Sequence, residues 1–294
     1  MHNSSTSRPN AAVGLIILSI GFISVVDATC KAFTEELHAV QLVWGYFVGI
    51  FTTLLVYFAI RGESLSTLTK TSRPLLQWMR GGYLAASIMS LFIGLTFLPL
   101  AEATAIGFMA PLFITGLSMP LLGEKVSAHR WLAVVAGLVG VAIIVRPGSG
   151  LWQWTAVMPL IGAVCFALYQ ITTRMLTATE NTHTILFYTG LTGVIWSTVT
   201  VVFFWRTPEL THWIVFFGTG LLGACAHLCL VNSFRLAQAS LIAPFNYTKL
   251  LWATILGYLL FGDMPTLNTI TGSVVIVVAG LYVLYQESQS AEYA

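Results

Sequence analysis

Leu100-Ala101-Glu102-Ala103-Thr104-Ala105-Ile106-Gly107-Phe108-Met109-Ala110-Pro111-Leu112-Phe113, running on to Leu122-Gly123-Glu124-Lys125, is the stretch from which the fold can be read. It is an apolar span that opens on an acid, carries a proline near its middle and stops at Gly-Glu-Lys. A near copy returns as Leu236-Ala237-Gln238-Ala239-Ser240, then Ala243-Pro244-Phe245, then Phe261-Gly262-Asp263. Both copies have a small-residue start, a central proline and a Gly-acid stop. Two such copies in one chain point to an internal duplication.

The rest of the chain supplies the solvent for these spans. Of the 294 residues 57% are hydrophobic and only 8% charged, with a mean hydropathy of +0.85. A soluble domain carries roughly 25% charged residues, so this chain cannot cover itself with a water-compatible surface and reads as an integral membrane protein whose partner is the lipid bilayer. Nucleic acid is excluded as a partner, because Lys and Arg sit singly and form no basic patch. About ten apolar runs are long enough to cross roughly 30 Å of hydrocarbon: 11–30, 39–60, 77–97, 101–122, 128–145, 154–174, 183–204, 212–235, 239–261 and 267–286. The first is too long for a signal-peptide core of 7–15 residues and is expected to stay as a membrane helix. Charge and turn residues such as Arg61-Gly62-Glu63, Arg73-Pro74, Arg146-Pro147-Gly148 and Thr207-Pro208-Glu209 fall in the gaps, as punctuation should.

Loop charge sets the expected orientation. Arg8, Arg61, Lys70, Arg73, Arg80, Lys125, Arg130, Arg174 and Arg235 fall on the side of the N-terminus, against Lys31, Arg146 and Arg206 on the other. The positive-inside rule then puts both termini in the cytoplasm. Five crossings per half is an odd number, so the second half enters from the opposite face. The expected architecture is all-α: a tail 1–10, a first five-helix repeat 11–147, an inverted second repeat 152–286 and a tail 287–294. Inverted repeats of this kind build secondary transporters, with substrate near the midplane between them.

Further residues carry a resemblance. Arg80-Gly81, the run from Phe97 to Ala105, Pro111-Leu112-Phe113, Leu122-Gly123-Glu124, Arg130-Trp131, Gly137-x-x-Gly140-Val141 and Val145-Arg146-Pro147-Gly148 resemble the EamA-type drug/metabolite transporters. Tyr169, Thr173-Arg174-Met175-Leu176, Ala243-Pro244-Phe245-x-Tyr247, Phe261-Gly262-Asp263-x-Pro265 and Gly280-Leu281-Tyr282 match the same pattern in the second half. The resemblance implies ten helices in two inverted repeats, an inner bacterial membrane and transport of small metabolites such as amino acids. The YddG-type aromatic amino-acid exporters are the branch it favours. Many members carry an arginine in the second helix, where this chain has Trp44-Gly45-Tyr46.

Two charges lie at membrane depth. Asp27, late in the first helix, either faces a cavity or partner or pairs with Lys31 at the interface. Lys249, three residues after Asn246, sits near mid-membrane on a helix that Pro244 breaks. Its natural partner is a substrate carboxylate, and a structural partner elsewhere in the bundle is the alternative. Pro111, between Met109 and Phe113, is the counterpart of Pro244 in the fourth helix. Trp44, Tyr46, Tyr83, Tyr169, Tyr247 and Trp252 fall inside helices, where deep polar aromatics need a hydrogen-bond partner or a wet cavity. Core packing is the competing fate of each. The expected substrate-binding set is therefore Lys249, Asn246, Trp44, Tyr46, Tyr83, Met109, Pro111, Tyr169, Tyr247 and Trp252, with Asp27, Pro244 and Glu102 for gating or coupling. Glu102 also fits a helix cap, since a carboxylate complements a helix N-terminus. Glu124 and Asp263 end helices on opposite faces and read as closing contacts to nearby Arg or Lys.

Other patterns carry no chemistry. Gly218-Thr219-Gly220-Leu221-Leu222-Gly223 fits the dinucleotide fingerprint but lies inside an apolar helix, without the strand that motif needs. It and Gly45-x-x-x-Gly49 read as close helix packing. Cys225 and Cys229 read as small buried hydrophobes. Without a P-loop, HExxH or GxSxG there is no sign of an ATPase, an intramembrane enzyme, a cofactor or a metal. The expected function is a secondary transporter moving aromatic or hydrophobic amino acids out of the cytoplasm by alternating access. A nucleoside, vitamin or cofactor transporter is the alternative, with a passive channel or membrane scaffold behind it. With Asp27 the one deep carboxylate, transport is expected to follow the substrate gradient, with weak coupling at most. The short loops are compatible with a working monomer.

Overall fold

The computed structural model describes residues 9–110, 112–114, 117, 121, 128–145, 154–177, 179–236, 245 and 248–292. Their regular structure is all helical, without a strand: α1 (Pro9–Ala32), α2 (Ala39–Ile60), the short α3 (Leu65–Thr69), α4 (Pro74–Phe97), α5 (Leu100–Gly107), α6 (Ala128–Val145), α7 (Trp154–Thr177), α8 (Thr182–Val201), α9 (Leu210–Leu236), α10 (Thr248–Phe261) and α11 (Leu267–Glu292). Local chemistry sets several ends. Pro74 starts α4, where its missing N–H costs nothing, and the Asn181 side chain caps α8 by accepting from the His183 N–H. Gly62 and Gly262 have φ of 68° and 69°, the left-handed conformation that glycine adopts without Cβ strain. The glycine of the Gly-Asp stop thus turns the chain so that Asp263 points back at the bundle.

The fourth apolar run is not one continuous α-helix. α5 ends at Gly107, and the chain tightens there: the Phe108 N–H is shared between the Thr104 and Ala105 carbonyls, and Met109 N–H bonds Ile106 O at 3.0 Å. Helical backbone resumes by Ala110 and covers 112–114. A proline at 111 has no N–H for the Gly107 carbonyl and its ring crowds that position, so the tightening just before it follows from the sequence. Pro111 itself, like Pro244, Asn246 and Tyr247, lies outside the described residues.

Helix pairing follows the duplication. The most extensive contacts join the halves: α4 on α7, α1 on α9, α6 on α11, and α2 on both α9 and α8. Exchanging each helix with its counterpart in the other half turns α4–α7 into α9–α1, α2–α9 into α8–α4, and α5–α7 into α10–α1, all of which are present. The pairs α2–α8, α5–α10 and α6–α11 map onto themselves. The bundle is therefore pseudo-twofold and its halves are interlocked. Its core is built on one stripe of α2, where Phe47, Ile50, Leu54 and Phe58 are at most 2% exposed and pack with Phe92, Phe216 and Leu84. The outward faces are apolar too, with Val135, Leu138, Leu251, Leu259, Val274 and Val278 all exposed. Such patches are untenable in water and are what lipid requires. Among the described residues five helices are long and apolar enough to cross a membrane, and α5, α10 and parts of α6, α7 and α11 are shorter apolar stretches.

Loops of the two halves are stitched at both faces. On the face where α1 begins, hereafter the near face, Glu63 Oε1 lies 2.8 Å from His183 Nδ1 and Tyr188 donates to Thr69 O at 3.0 Å. Glu180 accepts from the Ser72 hydroxyl and N–H at 2.6 and 2.9 Å. Slight desolvation works to raise the pKa of that carboxylate, but the Ser72 hydrogen bonds win and hold it below its ordinary value. On the far face, Gln41 exchanges hydrogen bonds with the Arg206 backbone, and Glu36 meets His212 at 2.9 Å.

Candidate functional site

The two deep charges meet each other. Lys249 Nζ lies 2.8 Å from Asp27 Oδ2, with the Asp27 side chain 7% exposed and that of Lys249 25%. Asp27 therefore does not pair with Lys31, its neighbour one turn away. The contact is ionic, with poor hydrogen-bond alignment, since Asp27 Oδ2 has no hydrogen-bond partner among the described residues. Lys31 binds Asp263 Oδ2 at 2.7 Å, lies 3.4 Å from Leu98 O and stands 4.8 Å over the Phe261 ring. Spacing explains the choice. Asp27 and Lys31 are one turn apart on α1, while Lys249 and Asp263 lie about 20 Å apart along α10 at 1.5 Å per residue. Two long lysine side chains reaching toward the far face close that mismatch. Two ion pairs thus clasp α1 to the end segments of α10.

The two pairs differ in their carboxylates: Asp263 is 32% exposed and Asp27 7%. Lys31 stands at the far end of α1, where its ammonium has a short reach to water if Asp263 is neutralised. The Lys31–Asp263 pair is placed as a latch on the far face. Asp263→Asn should therefore leave folding intact but loosen that face. In a variant retaining Cys30 as its sole cysteine, the thiol is 1% exposed and one residue from Lys31. Its labelling by a membrane-impermeant maleimide should rise several-fold. Unchanged labelling would mean that the latch does not hold the face shut.

Around the Asp27–Lys249 pair the structure gathers some of the expected site residues and separates others. Tyr46 is 2% exposed, within electrostatic reach of Asp27, Cys30 and Tyr169. Tyr169 is 4% exposed and its hydroxyl accepts from Arg80 Nη2 at 3.0 Å. Tyr83 packs half-buried on the main core. Met109 is fully buried with Leu112, Ala163 and Ala279, filling the core. Glu102 accepts from Thr269 Oγ1 at 2.9 Å and ties α5 to α11.

Trp44 lies elsewhere. Its indole donates to Thr198 Oγ1 at 3.0 Å and it sits edge-on to Trp205, Trp213 and Phe216. It belongs to the aromatic belt near the far face, because it is only six residues into α2. Trp252 is 36% exposed on the outside of the bundle, its ring edge facing Gly21 of α1.

One buried charge was misplaced by sequence. Arg80, counted above among loop charges, is 3% exposed inside α4. Its guanidinium bonds Thr173 Oγ1 and Thr189 Oγ1, each at 2.7 Å, and lies 4.6 Å from the Tyr169 ring. The signal that marks it is the following Gly81-Gly82, which lets α8 approach: a Cβ on Gly81 would overlap Thr192. Among the described residues no group of three or more His, Cys, Asp or Glu could hold a metal.

A buried acid–base pair, buried tyrosines and interlocked duplicated halves are what the bundle holds at membrane depth. The model of the EamA-like transporter family matches the chain twice, over residues 10–146 and 153–286. This chain belongs to the EamA-like transporter family. As an EamA-like protein it is a multi-pass membrane transporter of small metabolites and not an enzyme, with ten helices in two inverted repeats. Among its relatives is an S-adenosylmethionine uptake transporter of Rickettsia bellii, 27% identical over 98% of both chains. A pseudopaline exporter of Pseudomonas aeruginosa is 28% identical over 92% of this chain and 94% of its own. A riboflavin transporter of Brucella anthropi is 26% identical over 85% and 89%. One solved crystal structure shares the fold with a TM-score of 0.64 at 18% identity, covering 95% of this EamA-like chain and 96% of the other.

Proposed function

We propose that this transporter carries small zwitterionic metabolites built on an amino-acid group across a bacterial inner membrane by alternating access. Both termini are cytoplasmic, and segments 11–147 and 152–286 are the halves that rock. The near face is then the cytoplasmic one. The single observation behind this reading is the Asp27–Lys249 pair at 2.8 Å. A carboxylate and an ammonium at membrane depth are the complement of an amino acid's own ammonium and carboxylate. An incoming zwitterion can replace the internal pair charge for charge, Lys249 taking its carboxylate and Asp27 its ammonium. No bare charge is left in low dielectric at any stage. The exchange is electrically neutral and needs no proton, so flux follows the substrate gradient. One chain holds all of these groups, so a monomer is the working unit.

The buried rings of Tyr46, within reach of Asp27, and of Tyr169, against Arg80, suit an aromatic or hydrophobic amino acid leaving the cytoplasm. S-adenosylmethionine, a methionine carrying an adenosyl group, belongs to the same chemical class. The Rickettsia relatives favour it as the second substrate to test. Counterflow in proteoliposomes checks both. Vesicles loaded with unlabelled phenylalanine, leucine or S-adenosylmethionine should accumulate the labelled compound saturably, with or without a pH gradient. Exchange confined to riboflavin or nucleosides would sink the amino-acid reading, and flux that requires a proton gradient would sink the uncoupled one.

A further inference from the structure

Arg80 lies about 9 Å along α4 from its start at Pro74, toward the near face, whereas Asp27 lies late in α1. The two helices run in the same direction, so these charges occupy opposite halves of the bundle. Among the described residues every hydrogen bond that Arg80 makes is with a neutral group. Nε bonds Thr173, Nη1 bonds Thr189 and approaches Ile185 O at 3.4 Å, and Nη2 bonds the Tyr169 hydroxyl. No carboxylate forms an ion pair with it among the described residues. A buried cation without an anion is costly, and Lys249 shows how this fold treats one that stays internal: it supplies Asp27.

A second observation lies one turn away. Gln77, three residues before Arg80 and therefore its neighbour on the same helix side, is 0% exposed, and both Oε1 and Nε2 lack a hydrogen-bond partner among the described residues. His227 of α9, within electrostatic reach of Arg80, likewise has a buried Nε2 without a partner. Unmade bonds at buried polar side chains are rare and call for a water, an ion or a ligand. A third observation gives access. A polar cleft of about 70 Å³ near the near face is lined by Arg61, Thr182, Leu186, Leu228 and Asn232, among others. Thr182 and Leu186 of the cleft wall share one stripe of α8 with Thr189, the next position inward, whose hydroxyl Arg80 holds. At ~30 Å³ per water the cleft admits water and not yet a metabolite.

We propose that Arg80, with Gln77 one turn away, forms a carboxylate-binding subsite on the near half of the bundle. It is filled through this cleft when substrate is loaded from that face. This rests on the transport reading above and adds a second cation to it. Arg80 takes the carboxylate while Lys249 is still neutralised by Asp27, and Lys249 takes it once the halves have rocked.

The test uses full-length protein in oriented proteoliposomes, with phenylalanine or S-adenosylmethionine, whichever wild type exchanges, against the corresponding primary carboxamide. Wild type should prefer the acid by about tenfold or more in KM measured from the near face. Gln77→Glu places a carboxylate one turn from the guanidinium and fills the subsite from within. It should cut that preference several-fold, to the part that Lys249 supplies, while the thermal midpoint holds or rises. Arg80→Lys should keep more of the preference than Arg80→Gln. Should the Arg80 variants fail to fold, Gln77→Glu decides the matter alone. A folded Gln77→Glu protein with the wild-type preference would overturn the subsite and leave the transport reading standing. Absence of exchange of either compound by wild type would overturn both.

Discussion

Replacing Lys249 by methionine is expected to cut amino-acid counterflow by 10- to 100-fold and to destabilise the protein. Adding Asp27→Asn should restore stability without restoring flux. The first effect follows from the loss of a charge-assisted contact to the substrate carboxylate, worth roughly 1.5–3 kcal/mol. The second follows from what is left behind. Asp27 is 5% exposed, and a buried charge stripped of its partner costs ~3–5 kcal/mol unless it takes up a proton. The single variant should therefore melt earlier in detergent, and the double variant, with two neutral side chains, should return close to wild type. Stability and transport separate in this pair of variants, which a purely structural ion pair could not produce. Wild-type KM in a folded Lys249→Met protein would remove Lys249 from the substrate path.

The second large effect concerns contact distance and not charge. Gly220→Leu should give little folded protein, whereas Gly218→Leu two residues earlier should be tolerated. A Cβ on Gly220 would stand 2.3 Å from the backbone of Gly49, and one on Gly218 meets nothing within 4 Å. Neither backbone can retreat, because Gly49 is bracketed by Phe216 and Gly220 along α9. Overpacking a site with no room to relax forces the helices apart. At position 218 the leucine faces outward, and replacing glycine in a helix interior gains up to ~1 kcal/mol of propensity. Size-exclusion profiles and thermal melts of the two purified variants check this. A monodisperse Gly220→Leu protein with a wild-type midpoint would show that α2 and α9 are not in the contact described.

Those glycines also show how far the sequence could be read. Composition and run length were enough for a helical membrane bundle, and the repeated proline and Gly-acid stop for its duplication. Both follow from the solvent and from local backbone chemistry. Asp27 and Lys249 stood out individually, because ionisable groups at membrane depth are rare. Their meeting did not, since 222 residues separate them and Lys31 is nearer to Asp27 in the chain. Partner choice depended on how far α1 and α10 are offset along their axes, which is a property of the packed bundle. Arg80 failed for a related reason. Near a helix start and close to Arg73, it looks like one more interfacial cation, and only the tertiary approach of α7 and α8 buries it. Trp44 shows a different limit: its neighbours Trp205 and Trp213 come from the other half of the chain, and being inside a helix is not being deep in the membrane.

The interlocking of the halves has a consequence for biogenesis. At a synthesis rate of ~5–20 residues per second, Asp27 enters the membrane on the order of 10–45 s before Lys249 is made. For most of that interval α1 also lacks α9, its principal neighbour. The nascent first half must therefore wait in lipid as loosely associated helices, with an unneutralised acid in the first of them. Assembly can finish only when the ribosome has nearly reached the end of the chain. Two separately expressed halves should then assemble only when both are present in the same membrane, and neither should accumulate alone.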